Sequence, residues 1–511
     1  MCQQNQNFVR TFFAYSFVAG VDLRTCLTLA YPACTPQRRV LFALRRIDMA
    51  QQHWGFLQRD LHVYPSTSRR IWYLALAVAA TFVLYYEAYV LPSVAPLVLP
   101  FFHITFTQYI FLNVLLGAFG AVSSLLGSLS DRVGRANLVV YGVLLNSLIV
   151  LALTLTRTAW LFLLISWCGG FLEGIILVAT PALVRDFSPR LGRATAMAFW
   201  TIGPVGGSLL ATTVASQTLP IFGSWQSQYI IAGSIGLLIT ILCFFGLRDL
   251  AAPLRAQIMI STRERALLEA RARGIDVARS LQHPWRQMLS ARIILSALGI
   301  SVFLLTYYAF VGYGPILFTN IFQYSLPLAN GLLGIYWIVD IVASVLGGIA
   351  SDRLEVRKPL MVVFTLATIV VGIVFISRIG QPTSPVFMGT LLGLSALTGP
   401  IAYVAWMAAF TETLEEVNPA LVATGIAVWG FVIRVVVVIS TLGFGLVVTN
   451  VLNPGQWATW WWVGIGGYLV FLPTVSLNTG QWSPARARAA VAARLHEEGL
   501  DAEPEASTEL A

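Results

Sequence analysis

Charge is scarce in this chain: Asp, Glu, Lys and Arg make up only 11% of its 511 residues, while 57% are hydrophobic. A soluble globule ordinarily carries about 25% charged residues, so a surface wholly surrounded by water is excluded. Lysine is almost missing, since 31 of the 32 basic residues are Arg, a bias that fits a GC-rich bacterial genome. Cysteine is sparse too. Cys2, Cys26, Cys34, Cys168 and Cys243 show no metal-ligand spacing and lie in apolar runs or on the Arg-rich side, so free thiols are expected and no metal. No P-loop, zinc-binding helix or nucleophile elbow is present, which argues against an ATPase or an enzyme, and no cofactor is implied. The apolar segments lack the alternation of a membrane β-barrel.

What is present is a succession of apolar runs long enough to cross the ~30 Å hydrocarbon layer. Twelve fall at about 71–98, 106–129, 137–155, 159–184, 194–215, 225–247, 293–318, 326–348, 359–377, 386–410, 420–448 and 457–475. In lipid each must satisfy its own backbone hydrogen bonds, so all are expected to be helices. Of the 32 basic residues, Arg157 and Arg378 fall in loops on one side, Arg434 lies inside a span, and the other 29 lie on the opposite side. The positive-inside rule makes that Arg-rich side cytoplasmic, with both termini inside. The net charge of +9 then reports topology and contact with anionic lipid headgroups. No basic stripe carries a folded nucleic-acid module, so no nucleic-acid partner is expected.

The chain divides into an extension (1–70), two apolar halves (71–247 and 293–475), a polar linker (248–292) and a tail (476–511). The extension holds nine Arg and an apolar patch from Phe12 to Val21 that is too short to span. It reads as disordered or membrane-surface sequence, with Met49 as an alternative start. The linker also holds nine Arg, and its Thr262–Arg273 stretch has the pattern of an amphipathic surface helix.

The halves repeat one another. Gly127-Ser-Leu-Ser-Asp131-Arg132-Val-Gly134-Arg135 follows the second run, and Gly348-Ile-Ala-Ser-Asp352-Arg353 follows the eighth. Thr195-Ala-Met-Ala-Phe-Trp200 in span 5 is matched by Thr424-Gly-Ile-Ala-Val-Trp429 in span 11. Two six-span halves with like elements in like order are what transporters use to build a central site with alternating access. Asn418 and Pro419 suit the cap and first turn of span 11, whose positive dipole end would face the cytoplasm.

On these residues the chain resembles a transporter of the major facilitator superfamily. Gly127, Asp131, Arg132, Gly134 and Arg135 match the family's loop between helices 2 and 3, and Asp352-Arg353 with Arg357 and Lys358 is similar to its degenerate second copy. In that copy Glu355 replaces the glycine and the basic pair falls one residue late. The resemblance implies an all-α membrane fold of twelve helices in two pseudo-symmetric six-helix bundles. It also implies a cytoplasmic gate in which Asp131 sits against span 11 and Asp352 mirrors it at span 5. Otherwise these charges only anchor topology. Asp186 with Arg190 and Arg193, and Glu412, Glu415 and Glu416, complete the inner charge network or are solvated loop ends.

Ionisable residues inside spans are rare and costly, so each is a functional candidate. Glu87 in span 1, Glu173 in span 4, Asp340 in span 8 and Arg434 in span 11 all lie near mid-segment, in spans that line or border the cavity of the family. Glu87 stands in Tyr85-Tyr-Glu-Ala-Tyr89, a poorly solvated setting that suits a proton-coupling carboxylate as well as a structural hydrogen bond. Glu173, beside Gly169, Gly170 and Gly174, is read first as an interhelical partner. The Arg434 guanidinium suits a carboxylate or phosphate, or a fixed pair with Asp340. Tyr307, Tyr308, Tyr313, Trp337, Tyr403, Trp406 and Trp429 are candidate pocket walls or packing. Gly314-Pro315 and Gly399-Pro400 are read as hinges.

The reading is a monomeric secondary active transporter of the bacterial inner membrane, similar to organic-anion:proton symporters, with a small molecule, protons and the bilayer as partners. Gly203-Pro204-Val-Gly206-Gly207 resembles the family's antiporter motif shortened by one residue and supports the alternative of a proton-linked drug or metabolite exporter. Against it, Ser166 and Trp167 stand where drug exporters carry a basic residue. The sugar porters' sequence after helix 6 is replaced by Leu247–Pro253. A transporter-like receptor without flux is the third reading.

Overall fold

The computed structural model describes residues 59–124, 134–188, 202–251, 254–255, 284–354, 356–483 and 485. Asp131, Arg132 and Gly127 of the first loop, Arg190, Arg193 and Thr195–Trp200, the Thr262–Arg273 stretch and Cys2, Cys26 and Cys34 lie outside the described residues.

Spans 1–6 comprise Thr67–Phe101, Phe106–Ser124, Arg135–Leu153, Ala159–Phe187, Gly203–Phe222 and Trp225–Gly246. Span 7 is built of two helices, Ala291–Phe303 and Leu305–Asn320. Spans 8–12 comprise Leu326–Leu354, Lys358–Arg378, Pro385–Val417, Val422–Val447 and Pro454–Thr474. Among the described residues eleven of these meet the length and composition needed to cross a membrane. The remaining one, span 5, is 20 residues long and diluted by Gly, Ser, Thr and Gln. The chain is an all-helical membrane protein.

Helix starts follow local chemistry. Ser384 Oγ accepts from Phe387 N (3.3 Å) and Asn453 Oδ1 from Gly455 N (2.9 Å), each followed by a proline at the first helical position of spans 10 and 12. Gly134 precedes span 3 with φ of 95°, a left-handed conformation that favours glycine and accounts for that residue of the loop signature.

Two expectations about local geometry are corrected. Gly314-Pro315 and Gly399-Pro400 lie inside unbroken helices, and span 7 is interrupted instead at Leu304 (φ −82°, ψ 6°). Proline inside a membrane helix is tolerated because neighbouring groups re-satisfy the freed carbonyl, so it need not mark a break. Asn418 ends span 10, with its side-chain amide donating to Gln287 Oε1 (3.1 Å). A 3-10 turn, Pro419–Leu421, separates it from the first residue of span 11.

Span 1 packs on spans 4, 5 and 6, span 2 on 4, and span 3 on 4 and 6. In the second half, span 10 packs on 8 and 9, and span 12 on 7 and 9. The halves meet through spans 1 with 7, 2 with 11 and 5 with 8. Among the described residues the contacts along this seam gather near the Arg-poor face. There Tyr109 Oη donates to the Gly312 carbonyl (3.0 Å) and Asn330 Nδ2 to that of Ser93 (2.9 Å). The Phe106 ring lies 6.1 Å from that of Phe444, and Gly331 and Gly445 allow close approach of Ser216 and Ile110.

On the Arg-rich face the end of the N-terminal extension is ordered against the start of the linker. Strand β1 (Asp60–Leu61) pairs in parallel with β2 (Asp249–Leu250), Asp60 opposite Asp249 and Leu61 opposite Leu250. Arg59 Nη1 donates to the Phe244 carbonyl at the end of span 6, with its guanidinium 4.6 Å from the centre of the Phe244 ring.

Candidate transport site and its charge networks

A helix turns by about 100° per residue, so side chains two positions apart point almost oppositely. That separates Tyr85 from Glu87 in span 1. Tyr85 faces the space between the halves, within electrostatic reach of Glu173 from span 4 and Arg434 from span 11. Arg434 is exposed and makes no hydrogen bond or ion pair among the described residues. The structure therefore brings Glu173 and Arg434, which the sequence placed in different halves, within electrostatic reach of one tyrosine.

Around them stand other tyrosines. Tyr89 stacks on Tyr85 with ring centres 5.8 Å apart and senses Glu173 and Tyr308. Tyr308 of span 7 lies near Tyr85 and Tyr403, and Tyr307 near Tyr89. Tyr313 belongs elsewhere: its ring stacks on Phe444 at 4.1 Å, close to the seam. Trp406 is fully buried against Phe410 (4.7 Å), so of the expected walls these two are packing.

Glu87 lies within the first half. Its Oε2 accepts from Asn146 Nδ2 (2.6 Å), and its Oε1 is 2.6 Å from Ser147 Oγ, both on span 3. Ser147 Oγ is also 2.9 Å from the Val143 carbonyl, so one hydroxyl hydrogen stands between two acceptors. Span 6 closes the site with Gly236, where a Cβ would run into Glu87 Oε1 and Ser147 Oγ. Glu87 is thus a junction of spans 1, 3 and 6, apart from the group around Tyr85.

Asp340 is buried in the second half, takes a hydrogen bond from Ser344 Oγ (3.3 Å) and lies within electrostatic reach of Tyr307, Tyr336 and Tyr403. Among the described residues no ion pair joins it to Arg434. A fixed Asp340–Arg434 pair is not what this structure contains.

On the Arg-rich face, Arg135 of the first loop signature is buried and its Nη1 lies 2.7 Å from both Asp186 oxygens. Its backbone N–H and that of Ala136 donate to Asp249 Oδ2 (2.6 and 3.3 Å), so the linker's first acidic residue caps span 3. Arg255 joins Asp186 (3.4 Å) to Asp249 (2.5 Å). Burial pushes the Asp186 carboxyl up from its ordinary range, against the opposing pull of Arg135 and Arg255. In the second half Asp352 binds Arg357 (2.7 Å), which also binds Glu412 (3.1 Å), while Arg292 reaches Glu416 (3.2 Å). Asp352 is thus engaged within its own half, beside Arg353 at the end of span 8.

Sequence reasoning missed Asn146, Ser147 and Gly236, and also Asp249, Arg255 and Arg59. Nothing but tertiary contact marks the first three. A signal did exist for Asp249, an acidic residue immediately after an apolar run. Tyr85 stands near Glu87 in the sequence, but the helical period puts it on another face.

A dozen long helices, a seam between two halves and charges facing it define a membrane transporter. Residues 77–441 match the Major Facilitator Superfamily, and the chain belongs to that family of transporters. It is similar to the probable anion transporter 3, chloroplastic, of Oryza sativa subsp. japonica, with 26% identity over 318 residues and 57% of each chain covered. It is similar to the phosphoglycerate transporter protein of Salmonella typhimurium (22% over 336 residues, 62% of this chain and 70% of that one). The multidrug resistance protein MdtG of Salmonella choleraesuis matches at 26% over 286 residues, 54% of this chain and 64% of that one. The rice protein and MdtG are each matched over less than two thirds of their own length. Among solved structures, the inward open xylose transporter XylE from E. coli has a TM-score of 0.59 at 16% identity, covering 82% of this chain and 98% of that one. A bacterial homolog of the human lysosomal transporter Spinster, inward-facing and unoccupied, has 0.56 at 15%, covering 86% and 100%. These likenesses are of fold.

Proposed function

We propose that this secondary transporter carries a small organic anion into a bacterial cell together with a proton, with the Arg-rich face and both termini in the cytoplasm of the inner membrane. The observation that carries the reading is Arg434: a mid-span guanidinium that faces the space between the halves with no ion-pair partner among the described residues, beside the same tyrosine as Glu173. An anion on Arg434 and a proton on Glu173 would both act on the surroundings of Tyr85, so the loading of one is coupled to that of the other. Asp340 lies in the same tyrosine surround and is the second candidate for the proton. Glu87, enclosed among spans 1, 3 and 6, would transmit a protonation change as a change in packing of the first half.

In this reading the seam near the Arg-poor face is the outer gate, closed here. Gly134, Arg135, Asp352 and Arg353 belong to the inner gate, with Gly127, Asp131 and Arg132. Residues 1–70, the linker 248–292 and the tail 476–511 flank two transport halves, 71–247 and 293–475, in a monomer.

The test uses membrane vesicles and purified protein. Substrate addition to everted vesicles preloaded with proton gradient should change internal pH in the direction of co-transport, and Arg434→Ala should abolish anion binding. Unchanged uptake by that variant would overturn the anion reading. The exporter alternative has one specific support: Gly206 and Gly207 seat span 5 directly on Phe82 and Tyr85 of span 1. An opposite sign of the pH change would favour it.

A further inference from the structure

Three features of the central group narrow the cargo. The first is charge. Arg434 is the one basic residue near the middle of a span, and Glu173, which lies within electrostatic reach of the same tyrosine, is an acid. A phosphorylated metabolite brings two negative charges, one of which would meet no cation here. The site suits a monoanion.

The second is what the site lacks for polyols. Sugars and sugar acids are recognised through amide side chains that donate and accept together. Of the asparagines inside the spans, Asn113 donates to the Tyr109 carbonyl (2.9 Å), Asn146 to Glu87 and Asn330 to the Ser93 carbonyl (2.9 Å), so these amide donors are already engaged.

The third is the wall itself. Tyr85, Tyr89, Tyr307, Tyr308 and Tyr403 come from spans 1, 7 and 10 and are half-buried, and none of their hydroxyls is hydrogen-bonded among the described residues. Behind Tyr307, at a ring distance of 5.5 Å, Trp337 is 1% exposed and its indole N–H has no acceptor. A buried indole N–H ordinarily finds a partner. Flat ring faces with unused hydroxyl edges form a surface for a flat, weakly polar body.

We propose that the cargo is an aromatic monocarboxylic acid, its carboxylate on Arg434 and its ring between the tyrosines of spans 1 and 7. Aromatic pairs contribute beyond the area they bury, and a tyrosine hydroxyl can reach a ring substituent such as a phenol oxygen. This deepens the anion reading and rests on it.

The test is ligand binding to the purified full chain by calorimetry, with four probes: 4-hydroxybenzoate, cyclohexanecarboxylate, gluconate and 3-phosphoglycerate. We expect 4-hydroxybenzoate to bind, cyclohexanecarboxylate to bind about tenfold more weakly because it keeps the charge and loses the aromatic face and the phenol oxygen, and the other two not to compete. Tyr308→Leu should erase the difference between the first two while keeping Arg434-dependent binding of both. Equal affinity for the two six-membered-ring acids, or tighter binding of gluconate or 3-phosphoglycerate, would overturn the aromatic inference and leave the anion reading standing. Should 4-hydroxybenzoate bind equally to Arg434→Ala, or no anion bind at all, the anion reading itself falls and this inference with it.

Discussion

Glu87 shows how far a residue can be read from its neighbours in the chain. Its aromatic flanks, Tyr85, Tyr86 and Tyr89, made it a candidate for the centre of the molecule. The helical turn sends it the other way, onto Asn146 and Ser147. Truncating it leaves two buried polar partners unmet, so Glu87→Ala should lower unfolding stability in detergent by about 1–3 kcal/mol. Glu87→Gln, which can still accept from Asn146 and donate to Ser147, should stay within about 1 kcal/mol of the parent. Equal losses in both would show that these hydrogen bonds contribute nothing. Gly236 gives a second check from the opposite wall: Gly236→Ala places a methyl against Glu87 Oε1 and Ser147 Oγ. A loss of about 1–3 kcal/mol in thermal unfolding is expected, and none would mean that span 6 moves freely away.

At the scale of elements, the Arg-rich ends of spans 3 and 4 are tied to both flanking segments. Arg135 binds Asp186, Asp249 caps span 3, and the β1–β2 pairing fastens residues 60–61 beside that cap. Arg135→Ala should therefore destabilise the first half, by less than the about 3–5 kcal/mol of a bare buried pair because Arg255 still reaches Asp186. Asp186→Ala added to it should cost less than it does alone. Strict additivity in thermal unfolding of the single and double variants would remove the coupling between these residues. The loop signature told the family from sequence, but only through residue identity. The φ of Gly134 explains one glycine, and the partner of Arg135 lies 51 residues away at the end of span 4. Breaks were harder to see: proline marked the wrong places in spans 7 and 10, because lipid-embedded helices absorb it, and Leu304 has no breaking side chain.

For the whole molecule, the seam near the Arg-poor face is the feature on which alternating access turns. Ser216 of span 5 and Gly331 of span 8 approach closely enough that a Cβ on Gly331 would lie 2.9 Å from Ser216 Oγ. In a background with Cys168 and the other native cysteines replaced, Ser216→Cys with Gly331→Cys should form a disulfide on mild oxidation. Substrate transport in proteoliposomes should stop and return on reduction, because the halves could no longer part on that side. Full transport by the cross-linked protein would show that this seam does not open.

Composition and periodicity by themselves determined that this chain spans a membrane as repeated helices, and its paired Asp-Arg loops identified the family. Those properties follow from hydrophobic run length, backbone hydrogen bonding in lipid and the sequence of a short loop, all of them local. Which buried charges meet was decided only by tertiary structure. Glu87, Glu173, Asp340 and Arg434 look alike along the chain, each a lone ionisable group in an apolar run. Helix rotation and the packing of spans from different halves send Glu87 inward to span 3, leave Asp340 unpaired with Arg434, and set Glu173 and Arg434 about Tyr85. A 3.6-residue period gives each helix its faces, but which face meets which neighbour depends on contacts between segments up to hundreds of residues apart.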